Sequence, residues 1–277
     1  MTEARMMAGA QDLVARPAVR HIELADVRDA LGEGIEDFRE SPTHLVFVGL
    51  IYPVIGLVLA RIVVGYDALQ MIYPLVAGFA LLGPLAAIGV YELSRRREQG
   101  PEVFWWNAFS VLRSPRIGAI LLAGALLVAI FLLWLGAAQA VYDLTLRHPE
   151  APWMAPEPIS FTELLTDVFT TAAGWVLIIV GTGIGFVFAL VSLAVGVVSF
   201  PLLVDRELGG TTGEQAAMAV QTSVRAVIAN PLPMAAWGLI VAAGLLIGAV
   251  TALVGLAVVV PVLGHATWHL YRKVVAG

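Results

Sequence analysis

The chain alternates between long apolar runs and short polar segments. Four runs carry no Asp, Glu, Lys or Arg, and they cover residues 68–91, 117–142, 168–204 and 226–271. A further apolar stretch, about Leu45 to Val64, carries only Arg61. Because about 20 apolar residues are enough to cross a bilayer, the pattern predicts an all-α, polytopic membrane helix bundle.

The runs predict six transmembrane spans. The first four are expected at about Leu45–Val64, 68–91, 117–142 and 174–200. The last stretch, 234–271, would be about 57 Å long as one helix, nearly twice the hydrocarbon core of about 30 Å. We therefore expect two short helices that turn near residues 251–255, the alternative being one span and an interfacial helix.

A polar motif recurs three times, each time just before an apolar run. The copies read ALGEGIEDFRESPTHLVFVGLI, WWNAFSVLRSPRIGAILLAGAL and MAVQTSVRAVIANPLPMAAWGLI. Proline disfavours helical geometry in the residue before it and suits the first turn of the next helix. The motif thus predicts three helical hairpins, each preceded by a short amphipathic helix on the cytoplasmic side. The predicted corners are Ser41, Pro42, Ser114, Pro115, Asn230 and Pro231.

The first and third copies show the amphipathic pattern in detail. In the first, one stripe is formed by Val27, Leu31, Ile35 and Phe38, and Asp37 falls among the acidic residues elsewhere on the helix. Such a helix lies in the membrane interface or against its neighbours. In the third copy the equivalent stripe is Ala217, Val220, Val224 and Val227.

These motifs divide one membrane domain into a polar tail and three hairpins. The tail is 1–20, and the hairpins are 21–98, 99–207 and 208–277, with a long extracytoplasmic loop at 143–170. The returning half of each hairpin also carries a proline near its inner end. These prolines are Pro84, Pro201 and Pro261. Because the intervals are uneven, a chance match is the alternative.

Composition and charge refine this topology. Only 13% of residues are charged, against roughly 25% in a typical soluble domain. Fourteen of the sixteen Lys and Arg fall in 1–44, 92–116, 202–233 and 272–277. The positive-inside rule then predicts that both termini are cytoplasmic. The absence of cysteine excludes disulfides and thiolate metal sites, and a net charge of −5 gives no indication of nucleic-acid binding.

Several segments resemble a family of predicted bacterial integral membrane proteins, a domain of unknown function. They are RHIELADVRDALGEGIEDFRESPTHLVFVGLIYPVIGL, FPLLVDRELGGTTGEQAAMAVQTSVRAVIANP and PVLGHATWHLYRK. The resemblance extends over most of the chain after about residue 20. It implies a helical fold and a location in the bacterial inner membrane. It implies no catalytic residues.

Three histidines form a candidate metal or haem site. His265 and His269 are four residues apart, so both imidazoles project from one helix face, and His44 is expected at a similar depth. Three histidines at one level could ligate a metal or haem. The alternative is an aromatic belt with Trp268 and Tyr271, and no cofactor is therefore predicted.

Other motifs favour contacts with lipids or helices. Arg95, Arg96 and Arg97 are suited to anionic lipid headgroups, although their effect on topology also explains them. The charges at residues 205–207 are interpreted as a cluster at a helix end, the alternative being a gate or docking pair. A third set has the small-xxx-small spacing that permits close helix packing. Its members are Gly181, Gly185, Gly244 and Gly248.

Nothing in the sequence indicates catalysis. No charged residue is expected at mid-membrane depth, where ionisable groups usually mark transport or proton relays, and no nucleophile–base or phosphate-loop motif is present. We therefore expect a non-enzymatic accessory or scaffold protein of a larger membrane complex, with lipids and other subunits or a second copy as partners. The alternatives are a channel or carrier for a small neutral solute or lipid, and a metal or haem protein.

Overall fold

The computed structural model describes residues 17–40, 69–100, 103–146, 160–251 and 255–276. Within these ranges almost every residue is helical and no strand forms, which confirms the all-α class. Extended backbone pairs at one antiparallel bridge, between Val19 and Val275. The first predicted span, the Ser41–Pro42 corner and His44 lie outside the described residues.

Eleven α-helices occur in the described part of the chain. Three 3₁₀ segments accompany them, at Leu69–Met71, Ala80–Leu82 and Trp105–Arg113, and we call the last of these the aromatic segment. The α-helices are α1 (Leu24–Glu40), α2 (Ile72–Phe79), α3 (Gly83–Ala86), α4 (Ile88–Gln99), α5 (Ile117–Thr145), α6 (Phe161–Thr170), α7 (Ala172–Gly196), α8 (Ser199–Asp205), α9 (Thr212–Ala229), α10 (Pro231–Val250) and α11 (Leu256–Val274).

Four helical stretches of the described chain are long and apolar enough to cross a membrane. They are Leu69–Gln99, Ile117–Thr145, Ala172–Asp205 and Pro231–Val250. The first contains residues 69–91 of the predicted span at 68–91, and the next two contain the predicted spans at 117–142 and 174–200. The stretch 234–271 forms two helices, α10 and α11, as expected, but α11 is not among the four. The arrangement of six spans in three hairpins therefore stays a prediction.

Two of the candidate spans are interrupted just before a proline. The first changes to 3₁₀ geometry before Pro84, and the third breaks between α7 and α8 before Pro201. Serines from neighbouring helices satisfy backbone groups there: Ser192 Oγ donates to the Leu81 carbonyl at 2.7 Å, and Ser223 Oγ accepts from the Val198 amide at 3.1 Å. Such side chains make helix breaks tolerable in a membrane.

The amphipathic helix α1 packs along α11, and its orientation differs from the predicted one. Four of its residues are buried, namely Val27, Ala30, Gly34 and Asp37. A Cβ atom at Gly34 would overlap the backbone of Ala266, so the two helices approach very closely. The expectation that Asp37 lies on the polar back of the helix is wrong, because the small residues and not the largest apolar ones face α11.

Helix α9 shows the same rotation of its buried face. The residues it buries are Ala216, Ala219, Thr222, Ser223 and Ala226. The predicted stripe is wrong at Ala217, which is exposed. Small side chains again occupy the contact, because they allow backbones to approach.

The glycines predicted to pack helices divide into two groups. A Cβ at Gly185 would lie 3.1 Å from the Trp134 ring, and one at Gly244 would lie 3.2 Å from Val259. Gly248 packs directly against Leu256. By contrast, a Cβ at Gly181 meets no atom of the described residues within 4 Å. Three of these glycines therefore lie at contacts inside the chain, and Gly181 does not.

The N-terminal segment before α1 is fastened to the corner between α9 and α10. Asn230 is only 2% exposed, and its Oδ1 accepts from the Ile22 amide at 2.8 Å. Its Nδ2 donates to the Arg20 carbonyl at 3.0 Å. Pro231 begins α10 directly afterwards. The predicted Asn-Pro corner therefore ends one helix, starts the next and holds a third segment.

Candidate functional site

Charged side chains from several helices meet at one end of the bundle, which we call the polar end. Here α4 ends, α5 begins and α8 ends. Arg116, just before α5, donates to the Val204 carbonyl at 2.9 Å, and Arg272 of α11 pairs with Glu98 of α4 at 3.3 Å. The polar end therefore joins α4, α5, α8 and α11.

The centre of one group is Asp37, whose carboxylate is 6% exposed. We call this group the Asp37 cluster. It consists of Asp37 of α1, Ser94 and Arg97 of α4, and His265 and His269 of α11. Ser94 Oγ donates to Asp37 Oδ2 at 3.0 Å, and His269 Nε2 lies 2.9 Å from the same oxygen. Arg97 Nε is 3.2 Å from Asp37 Oδ1.

The Asp37 cluster favours the ionised carboxylate. Burial alone would raise the pKa of Asp37, but hydrogen bonds from His265 and His269 and the charge of those rings outweigh it, so the pKa lies well below its usual range. Both nitrogens of His269 face carboxylates, because Nδ1 is 3.1 Å from Glu33. Since a carboxylate only accepts, both contacts are hydrogen bonds only when the ring donates from both nitrogens.

Ser94, His265 and Asp37 share the composition of a catalytic triad but not its geometry. In a triad the serine and the carboxylate contact opposite nitrogens of the histidine. Here Ser94 Oγ is 2.6 Å and Asp37 Oδ2 is 3.5 Å from the same atom, His265 Nδ1. Ser94 and His265 are each 1% exposed. The cluster therefore joins three helices and presents no nucleophile to a substrate.

Ion pairs at the edge of the Asp37 cluster add further contacts between α1 and its neighbouring helices. Lys273 of α11 binds Glu33 at 3.0 Å, and Arg97 also contacts Glu40. Arg97 is therefore paired with two carboxylates of α1. The predicted contact of Arg95, Arg96 and Arg97 with lipid headgroups stays a prediction.

Asp205 links the end of α8 to α11. Tyr271 donates from its hydroxyl to Asp205 Oδ2 at 2.6 Å, and Arg272 Nη1 is 3.3 Å from the same oxygen. Trp268 Nε1 donates to Glu98 at 2.8 Å. Asp205, singled out in the sequence with its neighbours 206 and 207, thus connects helices at the polar end.

On the other side of α4 lies a cavity of about 210 Å³, which we call the arginine pocket. Its polar lining comes from α4, the aromatic segment and the start of α5. The polar and charged side chains in this lining include Glu92, Arg95, Arg96, Ser110, Arg113 and Arg116. The predicted corner residues Ser114 and Pro115 also line it. Because residues 92, 95 and 96 are three and four positions apart, they share one face of α4.

Glu92 organises the two arginines that follow it. This carboxylate is 4% exposed. Arg95 binds it through Nε at 2.8 Å and Nη2 at 2.9 Å, and Arg96 binds it through Nε at 2.6 Å. Ser110 Oγ donates to it at 2.9 Å. In the sequence, Arg113 and Arg116 counted only as positive charges that favour a cytoplasmic location. In the structure both line the cavity, on either side of the corner at residues 114–115.

The histidine part of the metal hypothesis gains no support from the described residues. Among them, no group of three or more His, Cys, Asp or Glu is arranged to hold a metal ion. Both nitrogens of His269 lie within hydrogen-bond distance of carboxylates. The proposed third ligand, His44, lies outside the described part of the chain, so the three-histidine site stays a prediction.

The segment that lines the arginine pocket matches a known family. The family is described as "Predicted integral membrane protein (DUF2189)", and the match covers residues 72–205, about half of the chain. Through these residues the chain belongs to that family. The expected resemblance to a domain of unknown function is confirmed. Of the segments quoted for it, only residues 200–205 lie inside the match, and 20–57, 206–231 and 261–273 lie outside it. No curated protein and no solved structure matches the chain.

The DUF2189 segment contains one candidate site completely and another in part. Every residue that lines the arginine pocket lies within 92–204 and thus inside the match. The Asp37 cluster takes Ser94 and Arg97 from the DUF2189 segment, whereas Asp37, His265 and His269 lie outside it. The protein is an integral membrane protein by this family and by its candidate spans.

Proposed function

We propose that this protein is a non-enzymatic structural component of the bacterial inner membrane. In this role it associates laterally with transmembrane helices of a second copy or of a larger membrane complex. The observation that carries the proposal is the surface of α7 that the described residues leave uncovered. Only 6% of the most apolar window of its span is buried, against 39% for α5. That surface is available to lipid or to another helix.

The shape of the uncovered face favours a helix. Gly183 leaves a depression in this face, since a Cβ there meets nothing within 4 Å among the described residues. Larger exposed residues flank it, including Ile179 at 68% and Phe186 at 62% exposure. A glycine depression between larger side chains lets a second helix approach closely, and close packing is a main source of helix association in membranes.

The proposal includes six crossings with both termini in the cytoplasm. The spans Leu69–Gln99 and Ala172–Asp205 end at the polar end, and α5 begins there. The start of α10 is linked to the last turn of α11, because Asn230 binds Arg20 and the Arg20 amide donates to the Val274 carbonyl. Helix α1 and the last turn of α11 also lie at the polar end. One crossing between α1 and residue 69, and another along α11, would complete three hairpins. At 1.5 Å per residue, the 19 residues of α11 span about 28 Å, close to a bilayer core.

The test uses the absence of native cysteine. In native membranes, Gly183→Cys should give a disulfide-linked dimer, or an adduct with another protein when a thiol-to-amine cross-linker is added. Leu239→Cys on α10 is the matched control, because that residue is apolar, 71% exposed and also in the middle of a span. We expect it to give no specific product. Mass spectrometry of the Gly183→Cys adduct identifies the partner.

One result contradicts the proposal. If Gly183→Cys stays a single uncross-linked species with both reagents while its thiol still reacts with a small maleimide, α7 has no protein neighbour. A channel or carrier would then be tested by solute and lipid flux. The described residues give that alternative no specific support, because the buried core that they form contains large apolar side chains such as Leu127, Phe200 and Trp237.

A further inference from the structure

We infer that the arginine pocket binds the phosphate group of an anionic phospholipid. The first argument is charge. Four arginines, at 95, 96, 113 and 116, line the cavity together with one carboxylate, Glu92. Glu92 is already shared by Arg95 and Arg96. A guanidinium matches the oxygens of a phosphate and forms paired charge-assisted hydrogen bonds with them.

Arg113 and Arg116 are the residues free to bind an added anion. Arg113 makes no ion pair with any described residue. Arg116 uses Nη2 for the Val204 carbonyl and Nε for Ser114, both uncharged acceptors. These two cations sit beside Arg95 and Arg96 without a carboxylate of their own, although Asp205 and Glu207 are close enough to act on Arg116. Asp205 is itself held by Tyr271 and Arg272.

The position of Arg116 makes a bound anion favourable. It precedes the first residue of α5 and is half-buried. Burial lowers the pKa of its guanidinium, and the nearby charge of Arg95 lowers it further. A cation that is partly desolvated and lies next to like charge is stabilised by an anion at hydrogen-bond distance. The pocket therefore has the electrostatic character of an anion site.

The surroundings favour a lipid over a soluble phosphate. The aromatic segment, which forms one wall, exposes Trp105 at 47%, Trp106 at 52% and Leu112 at 65%. Tryptophans with one apolar and one polar side are enriched where a membrane meets water. The same wall adjoins the first turn of α5 and the end of α8, at the ends of two candidate spans. A headgroup in the pocket would leave its acyl chains beside exposed apolar residues.

Native mass spectrometry of the delipidated protein tests this inference. Phosphatidylglycerol and phosphatidylcholine, both carrying one phosphate but differing in net charge, are added back separately. We expect preferential retention of phosphatidylglycerol, and a loss of affinity of about tenfold in Arg113→Gln and in Arg116→Gln, as for a charge-assisted hydrogen bond. Arg28→Gln is the matched control, because Arg28 is 84% exposed on α1 and far from the pocket in sequence. It should bind as the wild type does.

Several results of this experiment would overturn the inference that the pocket binds an anionic phospholipid. Equal retention of both lipids by the wild type, or unchanged affinity in both pocket variants, overturns the inference. Inorganic phosphate or glycerol phosphate at matched concentration separates the two sources of the anion. If either displaces the lipid as effectively as phosphatidylglycerol does, the site takes soluble phosphate instead. If a variant fails to fold, the wild-type comparison and the displacement series still test the inference, and neither depends on the cross-linking of α7.

Discussion

At the scale of single residues, one carboxylate joins three helices. Asp37 of α1 receives contacts from Ser94 and Arg97 of α4 and from the histidines of α11. A buried charge that loses its partners is strongly destabilising, whereas a paired one contributes little net stability. The main effect of Asp37 is therefore on the position of α1, and its net contribution to stability is small. Asp37 favours the observed orientation of α1, because that orientation supplies its ionised form with donors from α4 and α11.

Asp37→Asn should weaken the attachment of α1. An amide cannot accept from all four donors, and Arg97 loses its charged partner, so we expect a loss of about 3 kcal/mol in the free energy of unfolding. Denaturant titration in detergent measures it, and faster trypsin cleavage at Arg28 reports release of α1. Asp29→Asn is the control, since that side chain is 53% exposed. Equal stability of the two variants would contradict the role given to Asp37.

The same carboxylate predicts how stability depends on pH. Because the pKa of Asp37 is lowered in the folded protein, its contribution is fully present above the unfolded value of about 3.9. This contribution is lost as the pH falls from the unfolded-state pKa toward the lower pKa of Asp37 in the folded protein. The melting temperature of the wild type should therefore fall more steeply than that of Asp37→Asn below about pH 4. Parallel curves for the two proteins would show that Asp37 is not preferentially ionised.

Sequence reasoning found the two histidines of this cluster. The spacing of His265 and His269 correctly indicated one shared helix face. It could not identify the carboxylate between them, because Asp37 is 228 residues from His265 in the chain and lies on the polar side of a simple helical projection. The arginine run was similarly ambiguous. Consecutive arginines point in different directions around a helix, so Arg97 and Arg95 reach opposite sides of α4.

At the scale of helices, small side chains decide which faces meet. Helix α1 buries Ala30 and Gly34, and α9 buries Ala216, Ala219 and Ala226. A hydrophobic stripe gives only the approximate direction of a buried face. The distance of closest approach between two helices is set by where their small side chains lie, because only these let the backbones come together. In both helices the contact is displaced by about one residue from the stripe of largest apolar side chains, and this displacement brings Asp37 into the interior.

A pair of glycine variants in α1 tests this view. Gly34→Ala places a Cβ into the backbone of Ala266, and we expect a loss of about 1–3 kcal/mol from overpacking. Gly32→Ala meets nothing within 4 Å and should stabilise α1 by up to about 1 kcal/mol through helix propensity. Thermal melting of the two purified variants measures the difference. Equal effects would show that α1 does not contact α11 closely.

Helix existence was predictable, but details of helix geometry were not. Uncharged runs of more than 20 residues fix where spans must lie, and Ser-Pro and Asn-Pro mark their starts. The second copy of the amphipathic motif forms a 3₁₀ helix at Trp105–Arg113, a difference that residue pattern alone does not distinguish. The breaks before Pro84 and Pro201 depend on serines of neighbouring helices, which only the assembled bundle supplies.

At the scale of the whole molecule, the first and last described segments of the chain pair with each other. The Arg20 amide donates to the Val274 carbonyl at 2.7 Å, and the Ala276 amide donates to the Ala18 carbonyl at 3.0 Å. These two bonds enclose Val19 and Val275, which face each other as a non-hydrogen-bonded pair. Both segments therefore lie on one side of the bundle. No local sequence pattern could indicate a contact between residues so distant in the chain.

This pairing predicts a cross-link. Facing residues of such a pair have Cα atoms about 4.5 Å apart, within the range of a disulfide. Val19→Cys combined with Val275→Cys should therefore form an intramolecular disulfide on mild oxidation. Non-reducing electrophoresis and intact-mass measurement detect it, with each single variant as a control. Two free, reactive thiols after oxidation would contradict the pairing and, with it, an even number of membrane crossings.

The docking of α1 on α11 has a consequence for biosynthesis. Chains emerge from the ribosome starting at the N-terminus, and their domains fold in that order. Helix α1 is made before the other described helices, and its partner α11 is made after them. During translation Asp37 and Gly34 therefore lack their contacts with α11 while the helices between are inserted. The contact forms only after α11 has been made, so a truncated product lacking α11 would carry an unpaired helix α1 that proteases can recognise.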